Sequence, residues 1–226
     1  MTDAVAVDAV VFDYGGVLTT PVRESIAAWQ AADGIDPASF TRVLKAWLSR
    51  SAPPGTPIHR LEMGTLSVAE FDALLAQELT TVDGRPINPV GLLSRLFAGM
   101  RPEPAMFALA EELRGLGVAV GLLSNSWGNH YPRDRIDPLF DPVVISDEVG
   151  LRKPWAPIYE LALSRLGLPP HRVLFIDDAE ANVEGARAVG MPALRHTDPA
   201  TTRNELARLV PGLRTTDGGD TPPGSD

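Results

Sequence analysis

The stretch AVVFDYGGVLTTP, residues 9–21, decides how the rest of the chain is read. Four apolar residues end on one carboxylate, Asp13, and two glycines then turn the chain toward polar sequence. An acid at the end of a buried strand, just before a flexible turn, is where an α/β enzyme places a nucleophile. Two residues on, where a second acid would be useful, the sequence holds Gly15.

Working outward, further apolar runs of strand length occur at 118–123, 142–145 and 172–176. Helical periodicity separates them. Met106, Leu109, Ala110 and Leu113 repeat at i, i+3, i+4 and i+7, Tyr159, Ala162, Leu163 and Leu166 do the same, and Val183, Ala186 and Val189 form a third stripe. Near-continuous apolar strands alternating with amphipathic helices predict an α/β fold, a doubly wound, Rossmann-like parallel sheet covered on both faces. Residues 20–99 break the alternation with helical patterns at 25–32, 38–48, 67–79 and 90–99 and no clear strand. They read as a helical cap inserted in a core made of 1–19 and 100–211. SAPPGTP, 51–57, reads as a loop between helices, and the tail 212–226, which lacks the apolar residues that would offset its ordering entropy, reads as disordered.

Composition narrows the function classes. The 226 residues contain no cysteine, which removes disulfides, thiol nucleophiles and thiolate metal sites. Lys and Arg number 20 against 29 Asp and Glu, a formal charge of −9, which argues against nucleic acid as a partner. No apolar stretch reaches the length of a membrane span and no basic-then-apolar leader opens the chain, so the expectation is a cytoplasmic protein. A homodimer is left open.

In open parallel sheets, ligands bind outside the carboxyl ends of the strands. The residues at those ends are Asp13, Ser124 in GLLSNSWG and the pair Asp177 and Asp178 in VLFIDDAEANV; Lys153 in EVGLRKPWAPIY stands before a proline that disfavours helix at the lysine and starts the next helix. Asp13 and Asp178 offer carboxylate oxygens to a small octahedral cation such as Mg²⁺. With a phosphate in the site, Lys153 would act as a point charge, and the Ser124 hydroxyl with nearby backbone N–H groups would bind its oxygens.

FDYGGVLT, LLSN, GLRKP and FIDDAEANV stand in the order and spacing of the four motifs of the haloacid dehalogenase-like (HAD) superfamily, and the helical insert resembles its C1-type cap. Over residues 7–200 the chain is most similar to the branch holding the phosphatase domain of soluble epoxide hydrolase and sugar-phosphate phosphatases. The resemblance implies Asp13 as nucleophile and Ser124, Asn125 and Lys153 as phosphate ligands. It also implies Asp13, Asp178 and the Gly15 carbonyl as Mg²⁺ ligands, with Asp177 and Asn182 supporting, and a small phosphorylated metabolite as substrate. Gly15 replaces the acid/base Asp that phosphatases of the family usually carry, so doubt falls on proton transfer.

Singly, each residue has an ordinary explanation: an Asp after a strand caps a turn, a Lys before Pro is solvated, and a DD pair caps a helix. Four in family order outweigh these. A 2-haloacid dehalogenase is the alternative within the fold, although that group carries Tyr where this chain has Gly15, and Tyr14 should point to the other side of the strand. A catalytically impaired HAD-fold binding protein is the alternative outside enzymology. Four histidines show no metal-like clustering: His59 lies in the cap, His171 in a turn and His196 after the last strand region, while His130 is a candidate substitute base. Arg23 and Arg60 are candidate ligands of a second anionic group, and Trp127 lies at the mouth of the site.

Overall fold

All four apolar runs become parallel strands, and a fifth joins them. The computed structural model describes residues 7–49, 52–128 and 131–216. Its sheet contains β1 (Ala9–Phe12), β2 (Ala119–Ser124), β3 (Val143–Ile145), β4 (Val173–Asp177) and β5 (Ala193–Arg195), in the order β3-β2-β1-β4-β5 with every pairing parallel. From central β1 the chain runs to β2 and β3 on one side and then to β4 and β5 on the other. That reversal opens a crevice outside the carboxyl ends of β1 and β4.

Alternation along β1 explains the two covered faces. Val10 and Phe12 pack into one apolar cluster, with α6 (Pro104–Gly115) and α11 (Pro199–Ala207). Ala9 and Val11 enter the opposite cluster, with α9 (Ala156–Leu166) and α10 (Glu180–Ala188). β5 has no continuous apolar run and escapes a search for periodicity. It is specified instead by pairing, with Ala193 beside Phe175 and Leu194 beside Ile176.

Between β1 and β2 the chain forms α1 (Val22–Asp33), α2 (Pro37–Leu48), α3 (Pro57–Glu62), α4 (Val68–Glu78) and α5 (Leu92–Phe97). Four helices were expected in this insertion and five form among the described residues. The extra one, α3, is six residues long, too short to show a period. Thr56 starts it by accepting a hydrogen bond from the His59 N–H, with Pro57 in the first turn. The insertion has its own apolar cluster, including Trp29, Phe40, Phe71 and Leu92. Buried Asp72 on α4 accepts from the N–H groups of Leu92 and Leu93 at 3.0 Å each, doing for α5 what its Gly91 cap lacks a side chain to do. The chain enters and leaves the insertion side by side: Thr20 N–H donates to Arg101 and Glu103 N–H to Leu18.

The shorter helices α7 (Arg133–Ile136) and α8 (Ser146–Val149) flank β3. Within the tail, Leu213 is buried in the core, and residues 217–226 lie outside the described residues. Among the described residues no helix is long and apolar enough to cross a membrane.

Candidate active site

Three strand ends and one loop converge on the Lys153 ammonium, which is 1% exposed. Its three N–H donors reach Asp13 Oδ1 at 2.7 Å, Asp177 Oδ2 at 2.6 Å and the Leu123 carbonyl at 3.0 Å. All of its donor capacity is used inside the protein. Asn125, at the end of β2, fixes the lysine backbone from both sides: Lys153 N–H donates to Asn125 Oδ1 at 2.9 Å and Asn125 Nδ2 donates to the Lys153 carbonyl at 3.1 Å. The Lys153–Pro154 peptide is cis. α9 starts at Ala156 with Pro157 in its first turn, so the proline after the lysine precedes the helix rather than starting it.

Asp177 is equally committed. Its Oδ1 accepts from the Ala179 N–H at 2.8 Å and Asn182 Nδ2 at 3.0 Å, while Oδ2 accepts from Lys153 and from the same Asn182 nitrogen. The Asn182 carbonyl in turn accepts from buried Tyr159, which ties α10 to α9. Asp13 and Asp178 are less engaged. Among the described residues, Asp13 Oδ2 receives no hydrogen bond.

One oxygen from each of Asp13, Asp177 and Asp178 lies within 4.8 Å of the others. Three carboxylates against one ammonium, two of the three buried, leave negative charge in excess, and a hard divalent cation is the natural complement. The titration behaviour agrees. Burial pushes Asp13 up to about 7, with Asp177 and Asp178 adding to the rise and Lys153 opposing it. Burial and the neighbouring Asp177 also raise Asp178. Burial works against the charge on Lys153, but Asp13 and Asp177 outweigh it and hold the lysine protonated, above its ordinary range.

The two glycines after Asp13 are unlike. Gly16 has φ +79°, and a Cβ there would lie 2.5 Å from Asp178 Oδ2, so only glycine fits. Gly15 does not have positive φ, and a Cβ would meet only Val22 Cγ2 at an ordinary 3.5 Å. The backbone therefore does not require glycine at position 15.

Ser124 is buried and its hydroxyl pairs with Tyr131 Oη at 2.9 Å. The Tyr131 ring packs at a tilt against Tyr14, which is buried in the core rather than facing the crevice, as alternation predicts. Tyr131 has no signature in the sequence and was not anticipated.

Above these groups lies a cavity of about 830 Å³, between the strand ends and the insertion. Gly15, Ser124, Asn125, Asp178 and Asn182 line its floor. One buried polar group crosses from roof to floor: Glu62 on α3 accepts from Trp127 Nε1 at 2.8 Å and from Arg152 Nε at 2.5 Å. Burial raises Glu62, with Arg152 opposing. This bridge was not legible in the sequence, because Glu62 sits on the unexpected helix. Trp127 packs with Phe71 and Phe97 of the insertion while also lining the cavity. Arg23 and Arg60, candidates for a second anion, are exposed and do not line it. His196 is buried against Thr202, His171 is exposed, and His130 lies outside the described residues.

Comparison with known proteins gives a consistent picture. The model of the haloacid dehalogenase-like hydrolase family matches residues 7–190. The sesquiterpene phosphatase astK of Aspergillus oryzae is 35% identical over 136 residues, 56% of this chain and 67% of that protein. Phosphatase MT3486 of Mycobacterium tuberculosis is 30% identical over 92% of this chain and 95% of its own length. The chain spans less than half the length of some other relatives. Among solved structures, the HAD family enzyme bt-2542 of Bacteroides thetaiotaomicron, in complex with magnesium and inorganic phosphate, has the same fold. Its TM-score is 0.61 at 20% identity, covering 84% of this chain and 94% of that one.

Proposed function

The chain belongs to the haloacid dehalogenase-like hydrolase family, and within it we propose a Mg²⁺-dependent phosphatase of small phosphorylated metabolites that uses Asp13 as nucleophile. The observation that carries this reading is the cluster of Asp13, Asp177 and Asp178 at the strand ends, in which buried Asp13 and Asp177 pair with Lys153 and Asp178 stays accessible. The phosphatase names of two relatives support phosphate-ester chemistry.

Asp13 attacks phosphorus with a carboxylate oxygen, the bond from phosphorus to the ester oxygen breaks, and the leaving group departs as its oxyanion, which takes a proton from solvent. Water then attacks the phosphorus of the aspartyl phosphate, releasing inorganic phosphate and restoring Asp13. Lys153 contributes a fixed positive charge beside the incoming phosphate, positioned by Asn125 and Asp177. Ser124 and Asn125 flank the phosphate, and Asp177 and Asn182 keep the lysine and α10 in place. Mg²⁺, held by Asp13, Asp178 and the Gly15 carbonyl, would offset the charge of the phosphate. The helices of residues 20–99 act as the cap.

Gly15 gives the leaving oxygen no proton. Esters whose leaving group departs as a stable anion are therefore hydrolysed faster than simple alkyl esters. The test is a panel of phosphate monoesters assayed with Mg²⁺ and with a chelator, alongside 2-chloropropionate. Phosphate release that requires Mg²⁺ and is abolished in Asp13→Asn supports the proposal. No release from any ester, with no Mg²⁺ binding by calorimetry, contradicts it, and chloride release in chelator identifies a dehalogenase instead.

A further inference from the structure

Resting on the phosphatase reading, we infer that the alcohol half of the substrate is a hydrocarbon: the enzyme takes the phosphate monoester of an apolar alcohol, with its body in the cavity under the helical insertion. The floor of that cavity is polar, whereas its upper wall, among the described residues, is mostly aliphatic and aromatic, interrupted by Ser49, His59 and Glu62. Val22, Ile26, Leu44, Leu48, Phe97 and Met100 line the same space as Gly15 and Asp178 of the site below. About 830 Å³ is near the upper end of the range for small-molecule sites and far exceeds what a phosphate alone would fill.

Among the described residues, the charges on the roof side do not fit a sugar. Glu62 and Arg152 are turned to each other, with Trp127 on the same carboxylate, and the arginines that could have met a second phosphate, Arg23 and Arg60, lie away from the cavity. A polyol placed against the stretch formed by Val22, Ile26, Leu44, Leu48 and Phe97 would give up its water partners there, and these side chains supply no replacement. A hydrocarbon loses nothing of the kind and removes apolar surface from water on both sides.

The mouth gives a second, independent indication. Leu48 on α2 is 39% exposed and Trp155, just before α9, is 42% exposed, and both line the cavity. They leave apolar surface in water at the edge of the opening, one on the insertion and one on the core. A long apolar substrate would cover both. Hydrolysis consumes water and yields the alcohol and inorganic phosphate, so no other reactant is needed.

A series of 4-n-alkylphenyl phosphates, from ethyl to octyl and below micelle-forming concentrations, keeps the leaving group constant while the apolar body grows. With Mg²⁺ present, kcat/KM is expected to rise by about fourfold for each added methylene until the cavity is full. It should also exceed that for glucose 6-phosphate throughout. Leu48→Gln, at a position exposed enough to tolerate a polar residue, should lower the octyl-to-ethyl ratio severalfold. A flat or falling series, with sugar phosphates hydrolysed as well or better, overturns the inference and leaves the phosphatase reading intact. If no ester releases phosphate, the phosphatase reading fails by itself. Calorimetry with n-alkyl phosphonates then decides the inference: affinity rising with chain length supports it, and affinity independent of length overturns it.

Discussion

The floor and the roof of the cavity are built in opposite ways. Just beneath the floor, buried Lys153 and Asp177 spend nearly all their hydrogen-bonding capacity on protein partners, and strand ends from a single parallel sheet fix their positions. On the roof, helices of six to twelve residues present aliphatic side chains, and one buried ion pair, Glu62 with Arg152, ties them to the core. Directional bonds fix a few atoms precisely, as bond-making at phosphorus requires. Apolar contacts specify volume and surface, which suits recognition of a substrate body. Chemistry and selectivity are thus divided between two regions that touch along one cavity.

The sharpest way to break this division is to remove the nucleophile without disturbing the roof. Asp13→Asn keeps the shape, and turnover should fall by about 10⁴-fold or more while binding of apolar phosphonates persists. Loss of both together would show that floor and roof are not separable. Next in size, Lys153→Met leaves two buried carboxylates without their cation. Urea unfolding at pH 8 should show a loss of about 3–5 kcal/mol. The sign of its pH dependence is set by Asp13, whose carboxyl burial raises: protonating it relieves the unpaired charge, so the loss should shrink toward pH 5 and grow as pH rises.

Gly15→Asp probes the floor's missing proton donor. A Cβ fits beside Val22, and the added carboxyl should raise turnover of alkyl phosphates by about 10²-fold or more and that of aryl phosphates much less. An equal effect on both would show that another group already relays the proton. The smallest effect is the competition between metal and proton. Because burial raises Asp13 to about 7, Mg²⁺ affinity should fall by up to about tenfold per pH unit below that value and level off above it. Calorimetry from pH 5.5 to pH 8.5 measures this directly.

The floor was legible in the sequence and most of the roof was not, for a physical reason. Strand ends follow from apolar runs, and in a parallel sheet the residues after those runs share one edge, so Asp13, Ser124, Asp177 and Asp178 could be placed together before any geometry was known. Asn125 was assigned to phosphate from the motif, but its two bonds to the Lys153 backbone appear only in three dimensions. The sequence indicated helices in the insertion but not which faces meet the site. Glu62 lies on a helix of six residues, Tyr131 reaches Ser124 from a loop, and Leu48 gains its meaning only from facing the cavity. β5 was missed because its pairing, and not its apolar content, defines it.

The central claim is that Asp13 carries the phosphoryl group. Trapping measures it most directly: rapid acid quench during turnover of an aryl phosphate with Mg²⁺, then mass spectrometry of the intact chain and its peptides. With no acid at position 15 to activate water, a phosphoryl adduct should accumulate on the peptide that contains Asp13 and be absent in Asp13→Asn. Steady turnover with no adduct on that peptide at any quench time, or with turnover retained in Asp13→Asn, would contradict the account.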